Sequence, residues 1–172
     1  MNKSRGVTQS ESIADQKATI AGRALHTAKW ARIMTKWLVT HSTANGVKWQ
    51  VISFNGSRGH ESAGIVDMIA IRKDHKPSDA NISRGDLFEI VLIQVKGGRS
   101  KLPSQADVNR LLAVQAYHRA NKVILAEWKK GRVLCCYVLP DMKTAVPASA
   151  IFGKTPDTKQ VGAKLASSSQ PK

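Results

Sequence analysis

The chain lacks the sequence features of secreted and membrane proteins. Its only cysteines, Cys135 and Cys136, are adjacent, and neighbouring residues of a strand point to opposite faces, so we expect no disulfide between them. They have no His or Cys partner at the spacing of a zinc site. No run of about 18 apolar residues predicts a membrane span, and residues 1–6 lack the apolar segment of a signal peptide. We therefore expect a reduced, cytoplasmic protein.

Acidic residues are few, and one long segment has none. The 27 Lys and Arg against 12 Asp and Glu give a net charge of +15 at pH 7. No Asp or Glu occurs between Gln16 and His60. The cations of that segment are Lys17, Arg23, Lys29, Arg32, Lys36, Lys48 and Arg58. A run of one charge sign is typical of a surface that faces phosphate, so nucleic acid is the expected partner. Charge alone also fits a ribosome-associated basic protein.

The apolar pattern predicts one globular domain of helices and strands. An apolar share of 42% supports a folded core. Helical and alternating periodicity predict a helix over 11–41, strands over 47–54, 65–72 and 87–96, a helix over 104–120, and strands over 122–128 and 132–139. We expect residues 1–10 to be flexible, residues 11–152 to form the domain, and residues 153–172 to be a disordered basic tail.

The order of these elements predicts the sheet. Three consecutive strands can form an antiparallel meander, and a helical crossover then places the fourth strand parallel to the third. The expected fold is α/β, a mixed sheet flanked by helices in the order αβββαββ.

Polar residues interrupt two of the predicted strands. Asp67 lies within the apolar segment 64–71, and Gln94 and Lys96 end the apolar strand 87–96. Strands that are apolar on both faces are buried, and sequences depart from this pattern mainly at functional sites. Because side chains alternate, Gln94 and Lys96 share one face, and antiparallel pairing brings Asp67 near them. The alternative is a core acid at Asp67 that pairs with a buried lysine, even Lys96 itself.

These three residues have the chemistry that phosphodiester hydrolysis requires. The carboxylate of Asp67 can bind a divalent cation, and the oxygens of the Gln94 amide and of the Val95 backbone carbonyl can add ligands. Lys96 can orient or activate the attacking water, or stabilise the charge that builds on the phosphate.

The pattern Gly-x-x-Asp before an apolar run, followed by an apolar run that ends in Gln-x-Lys, resembles the PD-(D/E)xK nuclease superfamily. The Gln variant is similar to that of Mrr-type restriction endonucleases, and the element order over residues 12–140 is similar to archaeal Holliday-junction resolvases. The resemblance implies a restriction-endonuclease-like fold and a DNA endonuclease that uses Mg²⁺ or Mn²⁺ and acts as a homodimer. It also implies that Asp67 and Gln94 are metal ligands and that Lys96 is the catalytic lysine.

The chain departs from the family pattern at two places. Val66 replaces the proline, and the first helix has no glutamate at the corresponding place. Glu61, in the loop before the second strand, is the nearest candidate for a second carboxylate. With a single certain carboxylate, we expect weak affinity for divalent metals and better activity with Mn²⁺ than with Mg²⁺.

Basic residues near the three polar residues in sequence are the candidates for binding substrate phosphate, namely Arg58, His60, Lys73, Arg99 and Lys101. No target-recognition domain is visible, which favours structure-selective or nonspecific cutting over site-specific restriction. Two alternatives stay open. One is a nucleic-acid-binding protein on the same fold with weak or lost catalysis. The other is a structural RNA- or ribosome-associated protein, which predicts that Asp67, Gln94 and Lys96 lie far apart or are buried in pairs.

Overall fold

The computed structural model of the protein describes residues 9–54, 64–75, 81–97, 100–128 and 134–156. The helices in these ranges are α1 (Gln9–Thr40), α2 (Gln105–Tyr117) and α3 (Ala148–Phe152). The strands are β1 (Thr43–Ala44), β2 (Val47–Lys48), β3 (Gln50–Ser53), β4 (Met68–Asp74), β5 (Leu87–Gly97), β6 (Lys122–Trp128), β7 (Cys135–Val138) and β8 (Val146–Pro147).

Six strands form one mixed sheet in the order β3-β4-β5-β6-β7-β8. Neighbouring strands are antiparallel except β5 and β6, which are parallel. A parallel connection needs a crossover of a dozen or more residues, and α2 supplies it. The predicted α/β fold, with a meander, a helical crossover and a final hairpin, is confirmed.

The sheet separates two apolar clusters. On the α1 side the cluster includes Ala31, Met34, Leu38, Met68, Ile93, Val95 and Trp128. On the α2 side it includes Leu92, Val108, Leu111 and Val123. Both faces of the central strands β5 and β6 are therefore covered, which is why continuous apolar runs predicted their bounds to within one residue. Of the helices that the structure describes, none has the length and apolar character needed to cross a lipid bilayer.

The segment before the sheet differs from the prediction. Asn45 and Gly46 have φ angles of 52° and 77°, and two consecutive positive φ angles are typical of a type I′ hairpin turn. They join β1 to β2 in a separate two-stranded sheet. The prediction of one strand over 47–54 was wrong, because Trp49 separates β2 from β3. Its buried indole N–H donates to the carbonyl of Phe152 at 3.0 Å, which fixes the chain at this point.

The carboxyl end of the domain packs beside this hairpin. The α3 helix was not predicted; its Phe152 ring packs edge-on against Trp49 with 5.4 Å between centroids. The backbone of Lys154 pairs with that of Thr43 through N–O distances of 3.0 and 2.8 Å. This pairing therefore includes Lys154, two residues after Phe152. The rest of the predicted basic tail, residues 157–172, lies outside the described residues.

Helix α1 and strand β5 come close together at Gly97. A Cβ at this position would lie 2.8 Å from the Cβ of Ala31 and 3.0 Å from the carbonyl oxygen of Thr27. Glycine has no Cβ, so it permits this approach of helix and strand. The contact fixes where α1 crosses the carboxyl end of β5, and so it also fixes the backbone of Arg32, the residue after Ala31.

A buried ion pair lies at the opposite end of the sheet. Arg72 on β4 donates from Nη2 to Glu89 on β5, and the two side chains are 7% and 14% exposed. The guanidinium lies 5.1 Å from the ring centroid of Trp49, and Lys122 Nζ lies 3.6 Å from the other Glu89 oxygen. A polar pocket of about 510 Å³ opens beside these side chains. Removing one member of such a pair leaves the other charge buried, which is destabilising.

We predict that Gly97→Ala lowers the free energy of unfolding by about 1–3 kcal/mol, because the added methyl overpacks the contact with α1. Gly22 in α1 is the matched control, since a Cβ there would meet no atom within 4 Å. Gly22→Ala should raise the free energy of unfolding by up to about 1 kcal/mol through helix propensity. Urea unfolding measures both. Equal effects of the two substitutions would contradict the close approach at Gly97.

We predict that Arg72→Leu destabilises the protein by about 3 kcal/mol, because Glu89 then stays buried with Lys122 as its remaining ion-pair partner among the described residues. Lys73, the exposed next residue of β4, is the control. Lys73→Leu should change stability by less than about 0.5 kcal/mol. Thermal unfolding followed by circular dichroism distinguishes the two, and similar losses would argue against a structural role for the Arg72 pair.

Candidate functional site

Asp67 lies where the regular pairing of β4 begins. Its backbone N–H donates to the carbonyl of Ile93 at 3.0 Å, and its own carbonyl accepts from the N–H of Phe54 at 2.9 Å. These bonds hold the Asp67 backbone between β3 and β5, immediately before Met68 pairs with Ile93. The position of the carboxylate is therefore set by the sheet and not by a loose loop.

The side chain of Asp67 joins β5 and α1. Its Oδ2 accepts from the backbone N–H of Val95 at 2.7 Å, and its Oδ1 lies 3.3 Å from Nε of Arg32. The Arg32 and Asp67 side chains are 13% and 19% exposed. In this partly buried setting a charge-assisted hydrogen bond contributes more than a surface pair does. The predicted acid therefore has a structural role as well as any chemical one.

The residues on either side of Val95 carry the predicted amide and amine. Val95 belongs to the apolar cluster on the α1 side, and strand alternation puts Gln94 and Lys96 on the α2 side. Gln94 is 9% exposed. Its Oε1 is buried and has no hydrogen-bond partner among the residues that the structure describes. A buried acceptor without a donor costs free energy, so this oxygen is a candidate for a ligand contact.

Lys96 lies beside acidic residues of two other elements. In the parallel register of β5 and β6 its partner is Glu127, which is 8% exposed and accepts from the Tyr137 hydroxyl at 3.3 Å. At the start of α2, hydrogen bonds from Ser104 lower the pKa of Asp107, and the positive charges of Lys96 and Arg110 lower it further. Lys96 is thus next to the carboxyl end of β6 in the sheet register, and its charge acts on the amino end of α2.

The structure joins two of the predicted site residues directly, since the Asp67 carboxylate accepts from the backbone N–H of Val95. Gln94 and Lys96 are the neighbours of Val95 in β5, with their side chains on the α2 side of the strand. Lys101 is exposed in the connection from β5 to α2.

Other predicted site residues do not join this group. Lys73 lies six residues along the chain from Asp67, which corresponds to about 20 Å in an extended strand. It is therefore at the other end of β4 and does not belong to the same surface. Arg58, His60, Glu61 and Arg99 lie outside the described residues, so their predicted roles are untested.

Two residues near Asp67 and Lys96, namely Arg32 and Glu127, were not singled out from the sequence. Arg32 was counted only as one of the cations of the acid-free segment, and nothing in helix periodicity shows that it reaches Asp67. Glu127 had a visible signal, because it interrupts the apolar strand 122–128 as Asp67 interrupts its own segment. The same reasoning applied to both strands would have found it.

The side-chain oxygens of Asp67 and Gln94 are of the type that hard divalent cations bind. A carboxylate at Asp67 and the buried amide oxygen of Gln94 suit Mg²⁺ or Mn²⁺ better than a softer metal. Of these two ligands, only the Asp67 carboxylate carries a negative charge. In the part of the chain that the structure describes, no three or more His, Cys, Asp or Glu residues are grouped so that they could hold a metal.

No protein-family model and no curated protein sequence matches the chain. Among solved structures, it is similar to Hjc, a Holliday junction resolvase from the archaeal hyperthermophile Archaeoglobus fulgidus. The two chains are 14% identical with a TM-score of 0.34, and the match covers 66% of this chain and 85% of the resolvase. Similarity at this level does not assign the chain to a family, so a function has to come from the side chains themselves.

We predict different stability effects for two substitutions of Asp67. Asp67→Asn keeps an oxygen that can accept the Val95 N–H, and it should cost about 1 kcal/mol through the lost charge opposite Arg32. Asp67→Ala leaves that buried N–H without its acceptor and should cost about 2–3 kcal/mol. Urea unfolding of both variants checks this. Equal losses would mean that the hydrogen bond to Val95 contributes little.

Proposed function

We propose that the protein is a divalent-metal-dependent endonuclease that hydrolyses phosphodiester bonds of DNA. The observation that carries the proposal is the bond from the Val95 N–H to the Asp67 carboxylate, because it fixes an acid to the backbone residue that lies between an amide, Gln94, and an amine, Lys96. The net charge of +15 supports a polyanionic substrate. The Gln-x-Lys pattern and its resemblance to PD-(D/E)xK nucleases support the same reaction.

Asp67 and Gln94 would hold Mg²⁺ or Mn²⁺, with the Val95 carbonyl as a further oxygen donor. When bound, such an ion neutralises phosphate charge and lowers the pKa of a coordinated water. Lys96 has two possible tasks in this chain, to orient the attacking water or to stabilise the negative charge on the phosphate. Glu127, its neighbour in the sheet register, would hold the Lys96 amine in position.

The proposal extends to the form of the substrate. The enzyme would cut by DNA structure, as at a junction or branch. Cleavage of both strands of a junction needs two sites, and one domain of this size carries one. A homodimer is therefore part of the proposal, as is a cytoplasmic location.

A nucleic-acid-binding protein with weak or lost catalysis is the second candidate. The contact between Arg32 and Asp67 favours it, because a guanidinium beside the carboxylate opposes the binding of a second cation. The structural RNA- or ribosome-associated protein is the third candidate, which predicted that Asp67, Gln94 and Lys96 lie far apart or are buried in pairs. The partly buried ion pair of Asp67 with Arg32 fits it as well.

The test is a cleavage assay on supercoiled, linear and four-way-junction DNA with Mn²⁺ or Mg²⁺. We expect cutting to be faster with Mn²⁺, and Asp67→Asn and Lys96→Met to reduce the rate by at least about 100-fold. Binding of uncut DNA, measured in EDTA, should change little. Lys143→Met is the charge-matched control, since Lys143 is exposed in the connection after β7, towards the other end of the sheet.

The outcomes separate the candidates. Tight DNA binding without cutting under either metal supports the binding protein and overturns the nuclease. Cutting that survives Asp67→Asn and Lys96→Met together would mean that another site, or a contaminant, is responsible. A loss of cutting in Lys143→Met equal to that in Lys96→Met would show a general charge effect.

A further inference from the structure

The two edges of the six-stranded sheet differ in how they are protected against pairing with another molecule. At one edge, β8 has two residues and includes Pro147, and short length and proline both hinder pairing. At the other edge, β3 has four residues without a proline or an ionisable side chain. Its Ile52 is 54% exposed, and Phe54, the next residue but one, is 38% exposed. Such an uncharged, apolar edge is a template for another strand.

The hydrogen-bond pattern of β3 shows which of its backbone groups face outward. The N–H of Phe54 donates to the carbonyl of Asp67, so the backbone groups of Phe54 face β4. Direction alternates along an antiparallel ladder, so those of Ile52 also face β4, and those of Val51 and Ser53 point away from it. Among the residues that the structure describes, none bonds to the outward backbone groups of Val51 and Ser53.

We infer that two copies of this chain pair through β3, antiparallel and with two-fold symmetry, with Ile52 at the symmetry axis. In this register Val51 of one copy lies opposite Ser53 of the other, and the two residues exchange both backbone hydrogen bonds. The symmetry repeats the exchange on the other side of Ile52, so every outward group of these residues finds a partner. The two sheets then form one continuous sheet.

The charge of the protein favours a second copy as the occupant of this edge. Two molecules that each carry a charge of +15 repel each other, so a contact between them needs a surface without positive charge. The segment from Gln50 to Phe54 has no charged side chain, whereas α1 exposes Lys29 and Lys36. An acidic partner would be attracted to those lysines and not to β3. A single strand edge is also self-complementary under two-fold rotation, the commonest symmetry of homo-oligomers.

The pairing would place two candidate sites within reach of one DNA molecule. Asp67 lies opposite Phe54, which is about 7 Å along the strand from Ile52 in each copy. The two β4 strands are separated by three strand spacings, about 14 Å. The two Asp67 residues are therefore about 20 Å apart, less than one turn of duplex DNA, which is about 34 Å. This step rests on the proposed function, and it supplies the pair of sites that cutting both strands requires.

Sedimentation equilibrium of the full chain, without DNA or metal, tests the pairing. Salt at about 0.5 M screens the repulsion between copies. Wild type is compared with Ile52→Lys, which places two like charges opposite each other at the axis. Ile33→Lys is the matched control, since it adds the same charge at an equally exposed position of α1, where Ile33 is 53% exposed.

We expect wild type to form a dimer that dissociates on dilution, because an interface through one strand edge is small. Ile52→Lys should weaken the dimer at least about tenfold through the opposed charges. Ile33→Lys should dimerise as wild type does. Circular dichroism checks that each variant is folded.

Cysteine cross-linking decides the matter if Ile52→Lys does not fold. Opposed residues of a pair without mutual hydrogen bonds have Cα atoms about 4.5 Å apart, which a disulfide can span. Ile52→Cys should therefore form a disulfide-linked dimer on oxidation by air, whereas Ile33→Cys should not. Wild type reports any link through its native cysteines, Cys135 and Cys136.

The inference is overturned by a wild type that stays monomeric at all concentrations, which would leave β3 to a strand of another protein. It is also overturned by a dimer that survives Ile52→Lys and gives no cross-link in Ile52→Cys, which would use another surface. Equal loss of the dimer in Ile33→Lys would make the effect one of net charge. These measurements need no DNA or metal. A confirmed dimer that never cuts DNA would therefore refute the proposed function alone, and a monomer that cuts DNA would refute the pairing alone.

Discussion

The carboxylate of Asp67 is the group on which one end of this molecule depends. One of its oxygens bonds to the backbone of β5 at Val95, and the other contacts Arg32 on α1. Its own backbone bonds to Ile93 in β5 and to Phe54, the residue after β3. Four segments of the chain therefore meet at a single acidic residue, and the polar end of the sheet takes its shape from these contacts.

This arrangement explains why an acid can be retained in an apolar strand. A buried charge is tolerated when it is paired and hydrogen-bonded, and Asp67 has both a charged partner and a backbone donor. The same partners limit ligand binding by Asp67, because a carboxylate oxygen that already accepts a hydrogen bond within the protein is less available to a ligand. The buried atoms that lack a hydrogen-bond partner among the described residues include Oε1 of Gln94, next to Val95, and the hydroxyl of Ser53, next to Phe54.

The parts of the fold that could be predicted are those that depend on local pattern. The apolar runs of β5 and β6, the capped start of α2 after Ser104 and the order of elements all follow from periodicity and from turn residues. Trp49 shows what local sequence pattern cannot predict. Its burial against Phe152 depends on a contact between residues 103 positions apart, and no local pattern encodes that distance.

The residues of the candidate site divide in the same way, into those that local pattern indicates and those that only the folded structure brings into contact. Gln94 and Lys96 were singled out because they follow a run of apolar residues in their own strand, and Glu127 could have been singled out in the same way. Arg32 could not, because its meeting with Asp67 depends on where α1 crosses β5.

That crossing point is set by the absence of a side chain at Gly97, which lets the backbone of Thr27 and the methyl of Ala31 come close. The sequence shows only a glycine at position 97, and a glycine alone does not reveal that a helix packs closely against it. Here it decides which cation stands beside the acid. A helix placed one residue further along would turn by about 100° at the strand end and present a different side chain to Asp67. The electrostatics of this end of the sheet are therefore determined by packing on the apolar side, and a change in that packing would alter the polar site without touching any of its residues.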